Sequence, residues 1–122
     1  MSGFKELKVW HVGMDLVFSV YKATELFPKH EIYGLVSQMR RCAVSIPSNI
    51  AEGSSRQNAK EFMQFLYIAN GSLSELDTQL IISQRLNYIS DIQIYEEPIR
   101  QLRSMISELI KSLQTPINPA KK

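Results

Sequence analysis

Residues 45–53 read Ser45-Ile46-Pro47-Ser48-Asn49-Ile50-Ala51-Glu52-Gly53. After the short polar break Ser54-Ser55-Arg56-Gln57, the run from Asn58 to Asn87 is apolar at three- and four-residue spacing. These two stretches decide the fold class. Ile46 and Ile50 continue the period of Ile32, Leu35, Met39 and Cys42. One amphipathic helix is therefore predicted from Glu31 or Ile32 to Glu52. Pro47 removes one backbone hydrogen bond and presses on the carbonyl of Ala43, four residues back. The helix either kinks there or stops near Ser45 and restarts at Pro47, and the unbroken apolar register favours the kink. Gly53 fits the left-handed position just past the helix end. In the second stretch Phe62, Leu66, Ala69, Leu73, Leu76 and Leu80 form a seam, widened by Phe65, Ile68, Ile82 and Leu86. Asn58, with Glu61 three residues on, has the capping-box pattern. At 1.5 Å per residue this third helix is about 45 Å long. Gly71-Ser72 at its middle suits the close approach of another backbone.

Working outward, a first helix is predicted from Val9 to Phe27, ended by Pro28-Lys29-His30. Trp10, Met14, Val17 and Tyr21 make its core stripe, with Leu16, Val20, Ala23 and Phe27 as a second line. Two lines imply contact with more than one neighbour. Gly13 inside the pattern reads as a close-contact point. A fourth helix is capped by Ser90, with Asp91 favouring its positive end. Its stripe is Ile92, Tyr95, Ile99, Leu102, Ile106, Leu109 and Leu113, and Pro98 bends it or moves its start to about Glu97. The expected fold is all-α, an antiparallel up-down-up-down four-helix bundle over residues 1–114, with a flexible C-terminal tail at 115–122.

Composition narrows the function. The 122 residues suit one domain. The single cysteine excludes an internal disulfide and fits a reducing cytosol, so a cytoplasmic protein is expected. Charged residues interrupt every apolar run near the N-terminus, so neither a signal peptide nor a membrane span is predicted. A net charge of +2, from 14 basic and 12 acidic residues, falls short of a dedicated nucleic-acid binder. Di-iron bundles need Glu-x-x-His pairs, whereas Lys8 precedes His11 and Phe27 precedes His30 at that spacing. Two distant histidines and one cysteine do not make a zinc site. Cys42 lies on the inward line of the second helix and reads as a small buried hydrophobe. Glu75 and Asp77 project about 200° apart and are no acid/base pair. No enzymatic activity, cofactor, metal or small-molecule substrate is expected.

The remaining polar constellation is Arg40, Arg41, Asn49, Glu52, Arg56, Gln57 and Lys60. It can serve as a phosphate-contacting surface, with Arg40, Arg41, Arg56 and Lys60, joined by Lys111, as nucleic-acid-binding candidates. The competing reading pairs one arginine with Glu52 or Glu75 across the second and third helices, which fixes their register. Pro47, Asn49, Glu52, Gly53, Gly71 and Glu75 are then structural. Phe18, Phe65 and Tyr67 fall at the edge of their seams. With Phe27 and Ile82 they would form an exposed apolar strip and so are oligomer-contact candidates.

Two further blocks sharpen this. Residues 37–44, Ser37-Gln38-Met39-Arg40-Arg41-Cys42-Ala43-Val44, lead into Ser45–Gly53; Lys60-Glu61-Phe62 is followed by Ala69-Asn70-Gly71-Ser72-Leu73-Ser74-Glu75-Leu76. Together with Leu7-Lys8-Val9-Trp10 and Leu109-Ile110-Lys111-Ser112-Leu113, they resemble the four-helix-bundle proteins of 23S ribosomal RNA intervening sequences. The resemblance covers about Phe4 to Leu113. The accessory variability determinant of diversity-generating retroelements is similar in fold. The resemblance implies a homopentameric barrel without enzymatic activity. The retroelement relatives are strongly basic and contact reverse transcriptase and RNA, and at +2 this chain departs from them. The expected function is an oligomeric scaffold or interaction protein, with structured-RNA binding as the alternative and RNA or a nucleic-acid-associated protein as partner.

Overall fold

Four α-helices make up most of residues 3–114, the part of the chain that the structure, a computed structural model, describes. They are α1 (Lys8–Thr24), α2 (Leu35–Ser54), α3 (Ala59–Arg85) and α4 (Gln93–Gln114), with short 3-10 turns at Phe4–Glu6 and Lys29–Glu31. No strand occurs among the described residues. The tail expected at 115–122 lies outside them. No described helix is long and apolar enough to cross a membrane.

The helix contacts are those of a bundle: α2 packs on α1 and α3, and α4 closes against α3 and α1. Met39, Ile46 and Ile50 of α2 meet Leu66, Leu73, Leu76 and Leu80 of α3 in one core. Leu16 and Val20 of α1 join it, as do Leu102 and Ile106 of α4. Burying each such side chain contributes about 1.5–3 kcal/mol, so this core is the main source of stability.

Along α2 and α3 the contacts run in opposite order. Met39 meets Ser83, Cys42 meets Ser72, and Gly53 meets Phe62 and Phe65. The last contact corrects the expectation for Gly53. It is helical, α2 continues to Ser54, and no described glycine has positive φ. The glycine is required by space: a Cβ there would lie 2.7 Å from Phe65 Cβ and 2.9 Å from Phe62 Cδ1. Gly71 is the reverse case. It is exposed, and a Cβ on it would meet nothing within 4 Å. The close approach predicted at Gly71-Ser72 is made by Ser72 alone. Inside the subunit Gly71 therefore only weakens α3, by about 1 kcal/mol relative to alanine.

α2 runs unbroken through Pro47, so the fresh-start alternative is excluded. Beside the proline, Asn49 Nδ2 donates to the Ser45 carbonyl (2.7 Å) and Ser45 Oγ to the Cys42 carbonyl (2.7 Å). The ring also fills the hollow over Gly13, where a Cβ would lie 3.6 Å from Pro47 Cβ. α2 begins later than predicted, at Leu35. Gly34 takes an irregular conformation (φ −110°, ψ −108°) after the Lys29–Glu31 turn, which leaves Ile32 and Tyr33 exposed.

Two other expectations are corrected. The core line of α1 is Val9, Leu16, Val20 and Ala23, whereas Trp10, Met14 and Val17 are half-buried and Tyr21 is 39% exposed. The Trp10 line falls at the α1–α2 edge instead of the bundle centre. The side chain that caps α4 is Asp91, whose Oδ1 accepts from Gln93 N at 3.1 Å, and not Ser90. α4 continues through Pro98 from Gln93. The α3 cap is as predicted: Asn58 Oδ1 accepts from Glu61 N at 2.8 Å. α3 ends with Asn87 in the left-handed conformation (φ 66°), a role open to asparagine as well as glycine.

Gly53→Ala tests the seam. Helix propensity alone favours alanine by about 1 kcal/mol. Overpacking against Phe65 and Phe62 is expected to reverse the sign and destabilise by about 1–3 kcal/mol. Urea unfolding measures it, and an unchanged or higher midpoint would contradict the constraint.

Candidate functional site

The polar side chains of α2 do not gather in one place. Arg40 turns toward α1. Its Nε donates to Thr24 Oγ1 (2.9 Å), its Nη2 to the Tyr21 carbonyl (3.3 Å), and its guanidinium sits 4.5 Å from the centre of the Tyr21 ring. Thr24 is itself buried and donates to the Val20 carbonyl at 2.8 Å. A guanidinium placed on the last carbonyls of α1 satisfies open acceptors and opposes the negative end of the helix dipole. The latch gives Arg40 a structural role within the subunit, with Nε and Nη2 both turned to α1.

Arg41, one residue on, is exposed and makes one hydrogen bond, to Ser37 Oγ at 3.3 Å. Arg56 pairs with Glu52 one turn earlier and covers the Phe65 ring at 4.9 Å. The expected arginine–glutamate pair thus forms at Glu52, within one helical turn and not across α2 and α3. Lys60 is exposed at the start of α3, and Lys111 is exposed on α4. The five basic candidates therefore divide among a latch, a groove rim, one loop and two helix ends.

An open polar groove of about 520 Å³ lies between α2 and α3, with Ser37, Arg41, Cys42, Ser45, Ser72 and Glu75 among its lining. Ser45 Oγ, whose proton goes to the Cys42 carbonyl, accepts from the Ser72 hydroxyl (2.7 Å), and Cys42 Sγ donates to the Ser72 carbonyl (2.9 Å). These two bonds tie the middle of α2 to the middle of α3. Burial, reinforced by the charge and hydrogen bonding of Glu75, pushes the Cys42 thiol up to about 12. A thiol held this far above neutrality is no nucleophile.

Two clusters have no counterpart in the sequence reading. Arg103 of α4 donates to Ser74 Oγ (3.0 Å) and Asn70 Oδ1 (3.5 Å) and lies 4.0 Å from Asp77. The spacing Asn70, Ser74, Asp77 places three polar groups on one face of α3, and that was the available signal. At the other cluster the Tyr88 hydroxyl donates to Glu31 Oε2 (2.8 Å) and Leu35 N to Glu31 Oε1 (3.2 Å). Both bonds favour the carboxylate, and Glu31 is held below its usual range. This clasp joins the α1–α2 and α3–α4 connections and involves residues distant in sequence. Nothing local announces it.

Large apolar side chains are exposed on several helices. Phe18 (66% exposed), Tyr67 (53%) and Ile82 (43%) lie open as expected. Phe27 is corrected: it is 7% exposed, with its ring centre 5.1 Å from that of Tyr88. Phe65 is corrected too, being partly buried between Gly53 and Arg56. Ile68, Leu86, Leu26 and Ile94 add exposed apolar area that the stripe reading assigned elsewhere or omitted. Between α1 and α2 an apolar groove of about 290 Å³ is lined by Trp10, Met14, Val17, Val44, Pro47, Ser48 and Ala51. Among the described residues no group of three or more His, Cys, Asp or Glu is placed to hold a metal ion.

The Cys42 environment has a direct chemical consequence. With the thiol titrating near 12, only about one molecule in ten thousand is thiolate at pH 8. A thiol-specific reagent is expected to leave the folded protein unmodified and to react fully after denaturation. Rapid labelling of the native protein would contradict this geometry.

The curated proteins include no match to this sequence. Among protein families, the 23S rRNA-intervening sequence proteins match residues 5–115, which takes in all four helices. The chain belongs to the 23S rRNA-intervening sequence protein family.

Proposed function

We propose that this protein is a non-enzymatic helical-bundle scaffold that acts as a homo-oligomer in the cytoplasm, binding its partner through the assembled surface. The subunit is an antiparallel up-down-up-down bundle, and the family resemblance makes the pentamer the preferred assembly. One observation carries the reading: Phe18, Tyr67, Ile68 and Ile82 are well exposed although the core is complete without them. They lie on two separate faces, Phe18 on α1 and the others on α3, and a monomer rarely leaves large apolar side chains open on both. The α1–α2 groove, apolar and open, adds to it.

Structured-RNA binding is the alternative that the resemblance raises. The Arg40 latch holds one of its residues against α1 and leaves Arg41, Arg56, Lys60 and Lys111 on separate elements. A dispersed set at a net charge of +2 supports this reading less well than it supports assembly.

Light scattering on the purified protein tests the proposal. The expected result at micromolar concentration is one species near the mass of five chains of 14.0 kDa each. A monomer across that range would overturn it.

A further inference from the structure

Gly71 stands out because the subunit gives it nothing to do. It sits mid-helix on the outer side of α3, exposed, with no atom within 4 Å of the position its Cβ would take. Tyr67 and Ile68, about one turn earlier, are about half exposed, and Ile82 lies open three turns later. The outer side of α3 thus carries apolar side chains on both sides of a dent, with Glu75 and Thr78 between the dent and Ile82. A dent of this kind lets a second surface approach the helix backbone closely.

The complementary surface is on another face of the same molecule. The α1–α2 groove has Met14 on one wall and Pro47 and Ser48 on the other, with the exposed Phe18 on the same face of α1 as Met14. Internal contacts fix its height relative to Gly71. Gly13 lies against Pro47, while Cys42 and Ser45 bond to Ser72. Residues 13–14, 45–48 and 71–72 therefore share one level of the bundle. Copies related by rotation about an axis along the bundle keep their heights equal. Gly71 of one copy then arrives at the middle of its neighbour's groove.

Opposite charges are available at a neighbouring level. Arg41 and Glu75 line one groove within the chain, so they too share a level, yet they form no ion pair with each other or with any other described residue. The rotation brings Glu75 of one copy to the height of the neighbour's Arg41.

We infer that the outer face of α3 around Gly71 in one copy seats on the α1–α2 groove of the next copy. The contact is head-to-tail: each copy uses its α3 face once and its groove once, and such contacts generate a ring when the rotation closes. This rests on the assembly proposed above and names the two faces that make it.

Cysteine crosslinking tests it. Ser48→Cys and Gly71→Cys are made separately; both positions are exposed, and the native Cys42 is buried. The expected result under mild oxidation is a covalent dimer when the two proteins are mixed and exchanged, and none from either alone. The double variant is expected to give a ladder ending at the ring. A disulfide requires Cα atoms within about 7 Å, so the readout reports the contact itself. Failure to crosslink on mixing, in a protein whose wild type assembles, would overturn these faces and leave assembly intact. Crosslinking of one variant with itself would overturn them in favour of a two-fold pairing. A monomeric wild type would overturn both. Gly71→Ala gives a second readout: higher helicity for the isolated subunit and an assembly weakened by roughly tenfold or more.

Discussion

The constraint on which the rest depends is the short separation of α2 and α3. Along one seam Gly53 admits Phe62 and Phe65, Cys42 and Ser45 reach Ser72, and Met39 meets Ser83. Each contact uses a small residue, or a small polar group whose hydrogen bond is made across the seam. A larger side chain at Gly53 has nowhere to go, because Phe65 Cβ is fixed to backbone. The long α3 is thereby held against α2 over most of its length, and the apolar seam Leu66, Leu73, Leu76 and Leu80 is fully buried.

That pairing sets what the other helices can do. α1 is fastened to α2 at both ends, by Pro47 filling the hollow over Gly13 and by Arg40 closing the carbonyl end at Tyr21 and Thr24. Its Trp10 line is thus left at an edge, which is how the open apolar groove arises. α4 closes the opposite side, where Arg103 bonds to Asn70 and Ser74. With α2 and α4 occupying its sides, α3 turns Tyr67, Ile68, Gly71 and Ile82 outward. The surfaces offered to other molecules are consequences of how the core is shared, and the polar groups add little to them. Of the arginines that look like a cluster in sequence, Arg40 and Arg56 are held within the subunit and Arg41 is left exposed.

Much of the fold is legible from pattern. The four helices, the Asn58 cap and the continuity of α2 follow from apolar period and from residue chemistry at the ends. The errors have physical causes. Glycine near a helix end most often supplies conformational freedom, whereas the use of Gly53 is the absence of a Cβ. Choosing between the two apolar lines of α1 required knowing where α4 packs, which no local period contains. Stripe position puts Phe27 at the surface, and its burial involves the distant Tyr88. The candidate site was less legible still. Arg40 and Arg41 are adjacent in sequence with about 100° between them on a helix, so one reaches α1 while the other faces solvent. Arg103 and Glu31 act through partners tens of residues away and leave no local signature.

Native-state hydrogen exchange resolves the order in which the four helices open. If the α2–α3 seam is the foundation, amides around Cys42–Ile50 and Leu66–Leu76 should exchange slowest, opening only with global unfolding, while α1 and α4 open at lower free energy. A pattern in which α1 or α4 is the last to exchange, with the middle of α2 and α3 opening before it, would mean that the α2–α3 seam is not the foundation of the fold.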